Sequence, residues 1–236
     1  MAVIYNSPKI VTDGLVLCLD AANKLSYSGE GSTWRDISGN ENHFTLNNSP
    51  VYNSEGYFEL DGSNDYIVSD SPLDLSSASE VTVELALITT TNTLGMAFEH
   101  TSNWNSQSGS FGNLVNSNGF TSRDSEHHTN ARNFNYKNFV FENNNTDIFV
   151  MDISWKTLDR VQQIAVNGQI TEPSLNGSGG SGSSSFNFAN DYFYIGSRAG
   201  GSLFCSCKLY YCKVYSRVLS PEEIKQNYNA TKGRFQ

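Results

Sequence analysis

Between Thr33 and Leu46 the chain reads TWRDISGNENHFTL, which places Asp36, Ser38, Asn40 and Asn42 at alternate positions. Alternating oxygen-bearing side chains are what a calcium loop of the D-x-[DN]-x-[DN]-G type uses to surround a hard cation. The pattern then departs from that loop. Its sixth position is Glu41 where the sharp turn needs glycine, and its twelfth is Asn47 where a bidentate Glu should close the shell. A turn explains the same residues with fewer demands: Trp34 and Ile37 bury, Ser38-Gly39-Asn40 reverses the chain, and His43 begins a strand. Calcium held by Asp36, Ser38 and Asn40 is the alternative, and no other cofactor is expected.

Acids elsewhere do not assemble into a catalytic pair. Retaining glycoside hydrolysis needs two carboxyls about 5 to 5.5 Å apart. In ELDGSND, Glu59 to Asp65, the Gly62-Ser63-Asn64 run reads as a turn. Glu80 and Glu84 share a strand face but stand about 13 Å apart at roughly 3.3 Å per residue. The sequence holds no G-x-S-x-G elbow and no phosphate loop. His127 and His128 point to opposite faces of a strand, and Cys205 and Cys207 are spaced i, i+2, so neither pair makes a zinc site. The expectation is a protein without catalytic residues.

Sugar binding is the remaining chemistry. It needs an aromatic ring against a sugar face, with polar side chains for the hydroxyls. Trp104, Phe111, Phe120, Arg123, His127 and Arg132 supply both kinds in the polar segment 101–138. We take Trp104, Arg123, His127 and Arg132 as the candidate ligand residues, on loops or on weak strands exposed on one side. The competing reading is that these side chains cover a sheet or contact a neighbouring subunit.

What would position such residues is a strand-rich scaffold. The 27 Asn, 32 Ser and 19 Gly favour many tight turns, because these residues tolerate left-handed backbone or bond to it through short side chains. Alternation in GLVLCLD (14–20), GYFELDG (56–62), DYIVSD (65–70) and EVTVELALI (80–88) reads as strands. Asn167-Gly168 is a two-residue hairpin signal. One helix is expected in LSPEEIKQNYNATKG, with Ser220 as N-cap, Pro221 first, Glu223 completing a capping box and Gly233 beyond the end.

A net charge of −9 argues against a nucleic-acid partner and against anionic bilayers. No apolar run approaches the roughly 20 residues of a membrane span. The N-terminus lacks the basic start and apolar block of a secretory signal, so synthesis in a cytoplasm is expected. The segment 176–185, NGSGGSGSSS, reads as a loop tip, and the strands after it are too few to close a second core. The expected organisation is one domain over 14–236, preceded by 1–13 as an arm or edge strand. Being apolar, that arm is the expected attachment element.

In their order, GLVLCLDAANKLSYSGEGSTWRDISGNENHFTL, GYFELDGSNDYI, VNG, YIGS and KLYYCKVYSRVLSPEEIKQNY resemble the laminin-G-like members of the concanavalin A-like lectin/glucanase superfamily. The resemblance covers about Gly14 to Tyr228 and is poor from about Leu94 to Asn145. It looks most like the versions found in virion proteins of tailed bacteriophages. It implies an all-β, single antiparallel two-sheet jelly-roll sandwich with the first and last strands side by side, closed here by one short C-terminal helix. It also implies fold-signature roles for Asp20, Trp34, Asp36, Gly39 and Asn40; for Asp61, Gly62 and Asp65; for Asn167, Gly168 and Gly196; and for Tyr215, Arg217 and Leu219. Some glucanases of the superfamily carry E-x-D-x-x-E on a strand; here the third acid is Asn64, and an amide can neither attack an anomeric carbon nor donate a proton usefully.

The function expected first is a non-enzymatic virion structural protein, a capsid decoration, head-fibre or tail component. It would be made in the host cytoplasm and assembled with major capsid or tail proteins, as a homo-oligomer that is a trimer by analogy. A lectin-like module recognising a host surface glycan is the second reading, and a degenerate glycoside hydrolase the third.

Overall fold

The computed structural model describes residues 9–91, 93–101, 109–116, 119–128, 131–140, 149–156, 160–171 and 188–234. Among these, the chain opens with β1 (Leu15–Asp20), β2 (Thr33–Trp34), β3 (Phe44–Asn47), β4 (Val51–Asn53), β5 (Tyr57–Asp61) and β6 (Tyr66–Ser69). It continues through β7 (Leu73–Asp74), β8 (Glu80–Thr89), β9 (Gly95–His100), β10 (Ser110–Asn116), β11 (Gly119–His128) and β12 (Ala131–Val140). Then follow β13 (Phe149–Lys156), β14 (Arg160–Val166), β15 (Gln169–Thr171), β16 (Asn190–Asp191), β17 (Phe193–Ile195), β18 (Ser206–Tyr215) and the helix α1 (Pro221–Thr231).

Two antiparallel eight-stranded sheets form a jelly-roll sandwich. The first runs β15-β14-β13-β8-β18-β5-β4, with β1 lying beside β5 along the same edge of β18. The second runs β12-β11-β10-β9-β17-β6-β3-β2. Period-2 alternation sends one face of each strand inward. Leu17, Leu19, Phe58, Leu60, Val83, Leu85 and Val214 of the first sheet meet Trp34, Phe44, Ile67, Phe98, Phe111 and Phe193 of the second in one core. Leu17 is paired with Val214 in register, so both ends of the described chain fill a shared interior.

The segment 101–138, expected as loops or as weak strands, takes the strand form: it contributes β10, β11 and most of β12, with β11 and β12 paired without a break from Gly119↔Val140 to His128↔Ala131. Polar residues here fit the pleat because an antiparallel sheet needs only one apolar face, and backbone pairing does not depend on side-chain type.

The turns follow their local chemistry. Asn167 and Gly168 take φ of 52° and 76°, the left-handed pair that a tight two-residue hairpin requires, and Val166 pairs with Gln169 across them. Gly196 sits at φ 83°, where a Cβ would run into the side chain of Leu60 in the opposite sheet. Ser220 caps α1, with its reciprocal bond to Glu223 in place, and the guanidinium of Arg217 grips both Glu223 carboxylate oxygens at 2.8 and 2.6 Å. Arg217 also pairs with Asp13 at 2.9 Å. The buried Val11 donates its N–H to the Asn227 side-chain oxygen and accepts at its carbonyl from the Tyr215 hydroxyl, so residues 9–13 are stitched to the sandwich; residues 1–8 of the expected arm lie outside the described residues.

Candidate functional site

The opening candidate folds into a clasp. Asp36 is buried and its carboxylate accepts four hydrogen bonds: from the backbone N–H of Cys18 (2.9 Å), Ser38 (2.8 Å) and Asn42 (3.1 Å), and from the Ser38 hydroxyl (2.7 Å). Asn40 donates its amide to the carbonyls of Leu15 and Val16, and Asn42 also reaches Val16. Asp36, Ser38 and Asn40 therefore do come together, with their polar atoms turned onto β1 and the loop itself. A neighbouring anchor is Asp20, which takes both guanidinium nitrogens of Arg234 at 2.8 Å.

The second candidate is also a turn. The Asp61 carboxylate accepts the N–H groups of Ser63, Asn64 and Asp65, and the Ser63 N–H bond is the main reason its acidity is strengthened. Asp65 returns a bond from the Asp61 N–H, while burial pushes its own carboxyl upward. The four cysteines Cys18, Cys205, Cys207 and Cys212 are free and buried, and burial pushes the Cys18 thiol up to about 12. Among the described residues no three His, Cys, Asp or Glu side chains gather as a metal-binding group.

For the sugar-site residues, the backbone places Arg123 opposite Gly112 on one side and Tyr136 on the other, and His127 opposite Arg132. Arg123 and Arg132 are thus on adjacent strands, nine residues apart in sequence and four register positions apart along the ladder, and His127 sits toward the far end of β11. Phe111 is fully buried among Phe98, His100 and Phe188, so it belongs to the core. Trp104 lies outside the described residues.

The structure shows a different grouping on the outward face of the second sheet. In β6 and β17, Ile67, Phe193 and Ile195 point inward and are buried. Alternation then turns Tyr66 and Tyr194 outward, and both stay half-exposed. Tyr194 lies 6.4 Å from Tyr66 and 6.5 Å from Tyr192, ring centre to ring centre, and Tyr192 is 37% exposed. Gly200 of the following loop leaves space against the Tyr66 ring; a Cβ there would approach it to 3.0 Å. The three rings make a short aromatic strip.

Across the ladder, Tyr194 is in register with Glu99 of β9, and Glu99 with Gly112 of β10. Glu99 is wholly buried and neither carboxylate oxygen has a hydrogen-bond partner. Burial is the first cause holding its carboxyl up at about 8, with Arg198 opposing and Asp191 reinforcing the rise, so at neutral pH it is mostly protonated. Asp191 is buried and accepts the Tyr192 N–H at 2.6 Å. Burial first, then Asp191 and the other rings, raises the Tyr194 phenol as well. An aromatic strip bordered by polar side chains can stack a flat or sugar-like ligand and hydrogen-bond its rim.

Sequence reasoning missed this group. Its signal was present in DYFYIGS, where Tyr192 and Tyr194 alternate with Phe193 and Ile195, so large aromatics occupy both faces of one strand. Glu99 had none, because GMAFEH lies in the stretch where the motif pattern is poor.

No family model and no curated protein sequence matches the chain. Solved structures do. The receptor binding domain of botulinum neurotoxin C/D mosaic serotype superposes with a TM-score of 0.65 at 13% identity, over 92% of this chain and 51% of that one. The ligand binding domain of botulinum neurotoxin serotype D, in complex with N-acetylneuraminic acid, gives 0.65 at 14%, over 92% and 51%. The binding domain of botulinum neurotoxin DC, in complex with rat synaptotagmin II, gives 0.61 at 12%, over 93% and 52%. This chain spans about half the length of those chains. Similarity at this level of identity establishes a shared β-sandwich fold.

Proposed function

We propose that the protein is a non-enzymatic carbohydrate-binding module of the β-sandwich type, with its binding face on the outer side of β6 and β17. The observation that carries this reading is the strip of Tyr66, Tyr194 and Tyr192. Three neighbouring outward rings on a rigid sheet give area without a large entropy loss on binding, since tyrosine has few rotatable bonds. Turns, caps and ion pairs use the acids of the other described candidates, which supports a module without catalytic carboxyls. Two of the similar folds are receptor or ligand binding domains, which supports a recognition role. The sequence resemblance suggests the setting: a laminin-G-like domain exposed on a phage particle as a decoration, head-fibre or tail component, held there by other virion proteins.

A glycan array probed with the purified chain, followed by titration of the best ligand, tests the reading. Tyr66→Ala and Tyr194→Ala are expected to weaken binding by about 5- to 150-fold, each losing roughly 1 to 3 kcal/mol of stacking, the scale known for base–aromatic contacts. Absence of any glycan ligand, or unchanged affinity in both variants, overturns it.

A further inference from the structure

The outer face of the first sheet carries a cavity of its own. Leu60 of β5 and Cys207 of β18 are buried in the core, so alternation turns their neighbours Glu59 and Asp61, and Ser206 and Lys208, outward. The register sets Ser206 beside Asp61 and Lys208 beside Glu59. Thr90, just past β8, donates its backbone N–H to the Ser206 carbonyl at 3.0 Å, and the two hydroxyls lie 2.6 Å apart. These side chains, with Asp65 and the 62% exposed Val51, line a cavity of about 300 Å³. That is the small end of the roughly 300 to 1,000 Å³ of ligand pockets. The 61–65 turn is seated firmly on its rim: a Cβ on Gly62 would stand 2.8 Å from the Ser206 Cβ.

The polar groups here are not used up by one another. Lys208 stands 3.8 Å from Glu59 and 3.4 Å from the Tyr57 hydroxyl, contacts long enough to leave its ammonium with donors to spare. Glu59 offsets the Lys208 charge. Asp61 and Asp65 have no such counterpart, since neither forms an ion pair among the described residues. The three backbone bonds to the exposed Asp61 all end on its Oδ1. Asp65 is buried and is bonded on Oδ2, by the Asp61 N–H, with no hydrogen bond on Oδ1 among the described residues. Burial pushes the Asp65 carboxyl upward, the Asp61 N–H opposes that rise, and the Asp61 charge adds to it. Two acids side by side with no cation leave this end of the cavity negative, and a positive group at Asp61 relieves the repulsion.

We propose that this cavity is a second ligand site, which takes an amino sugar with a free, charged amine. The ammonium meets Asp61, with the Asp65 charge behind it. Ring hydroxyls meet Lys208, Glu59 and the Thr90–Ser206 pair, whose oxygens both donate and accept, and Val51 covers the ring carbons. The site lies on the other sheet from the tyrosine strip and holds or fails independently of it.

NMR titration of the full chain with glucosamine, N-acetylglucosamine, glucose and n-butylamine at about pH 6, where the amines are protonated, tests this. Glucosamine is expected to shift the amides of Asp61, Thr90 and Ser206. It should bind roughly tenfold or more tightly than the two neutral sugars, the scale of one screened charge contact. n-Butylamine, which has the ammonium without the hydroxyls, should bind more weakly than glucosamine. Asp61→Asn keeps the acceptor that closes the turn and removes the charge, so glucosamine should fall to the level of glucose. Ser206→Ala, a surface change that leaves the turn intact, should weaken glucosamine about 2- to 10-fold, the worth of one hydrogen bond, and leave n-butylamine unchanged. Tyr194→Ala should alter none of these affinities. Equal binding of glucosamine and glucose, equal binding of glucosamine and n-butylamine, or no shift at Asp61 and Ser206 overturns the proposal. Shifts confined to Tyr66 and Tyr194 overturn it too and leave the reading of the tyrosine strip in place.

Discussion

Glu84 and Glu99 are both glutamates in strands, both fully buried, and both on the outward faces of their sheets. Their surroundings are opposite. Glu84 of β8 is covered by α1 and meets Lys213 at 2.5 Å on one oxygen and the Asn227 amide at 2.7 Å on the other. Asn227 also donates to the Tyr215 hydroxyl and accepts from the Val11 N–H, and Lys213 lies 4.1 Å from the centre of the Tyr211 ring. One acid thus joins β8, β18, the helix and the N-terminal segment. Glu99 joins nothing by hydrogen bonds. A buried acid with partners on both oxygens ties elements together; one without partners, beside an aromatic strip, is a standing cost to the fold.

The comparison breaks most visibly at Lys213. Lys213→Met keeps the aliphatic stem but strips Glu84 of its cation, leaving a buried carboxylate, and is expected to cost about 3 to 5 kcal/mol by urea unfolding. Adding Glu84→Leu in the same chain should return most of that loss. A double variant as unstable as the single one would show that the pair itself does not hold the helix down.

Glu99→Gln is expected to go the other way, and its effect depends on pH. The folded carboxyl takes up its proton near 8 against an ordinary 4.5, so between those values the folded chain holds a proton that the unfolded chain has released. Stability is therefore fully present below about pH 4.5 and is lost as pH rises toward 8. At pH 7 the loss is on the order of 3 kcal/mol at about 1.4 per unit. Glutamine has no such proton, so the variant should match the native protein at pH 4 and exceed it by up to that amount at pH 7. Parallel stability curves for the two chains from pH 4 to 8 would remove the contrast drawn here.

Asp36 is the intermediate case, a buried acid satisfied by N–H and O–H donors with no cation. Asp36→Ala leaves the amides of Cys18, Ser38 and Asn42 without their acceptor and should cost about 2 kcal/mol, read as a lower unfolding midpoint at unchanged m-value.

Much of the architecture could be read from the residues. Alternation in GYFELDG and EVTVELALI, the Asn167-Gly168 turn and the Ser220–Glu223 box each specify their geometry within a few residues. The turns at Ser38-Gly39-Asn40 and Gly62-Ser63-Asn64 were legible for the same reason, and Asp36 and Asp61 close them through bonds to backbone two to six positions away. Others of their partners are distant. The Glu84–Lys213 pair spans 129 positions and the Val11–Asn227 bond 216. The aromatic strip likewise joins Tyr66 to Tyr194 across a sheet whose order, β9-β17-β6, no local pattern encodes. Over β10, β11 and β12 the sequence left loops and weak strands as equal alternatives, because their polar residues carry little alternation to decide between them.

The smallest expected change in stability is at Tyr194, and it tests the link between the strip and the acid. Tyr194 is half-exposed, so Tyr194→Ala should cost no more than about 1 kcal/mol. Its register position is opposite Glu99, and deleting the ring opens one side of the carboxyl to water. Hydration favours the charged form, so the Glu99 carboxyl should fall from about 8 toward the carboxylate range. The decline of stability between pH 4.5 and 8 should flatten accordingly, while glycan binding weakens. An NMR titration of the Glu99 side chain in both chains reads this directly. If the titration point stays near 8 without the ring, then something other than Tyr194 keeps water from Glu99, and the strip and the acid belong to separate features of the sheet.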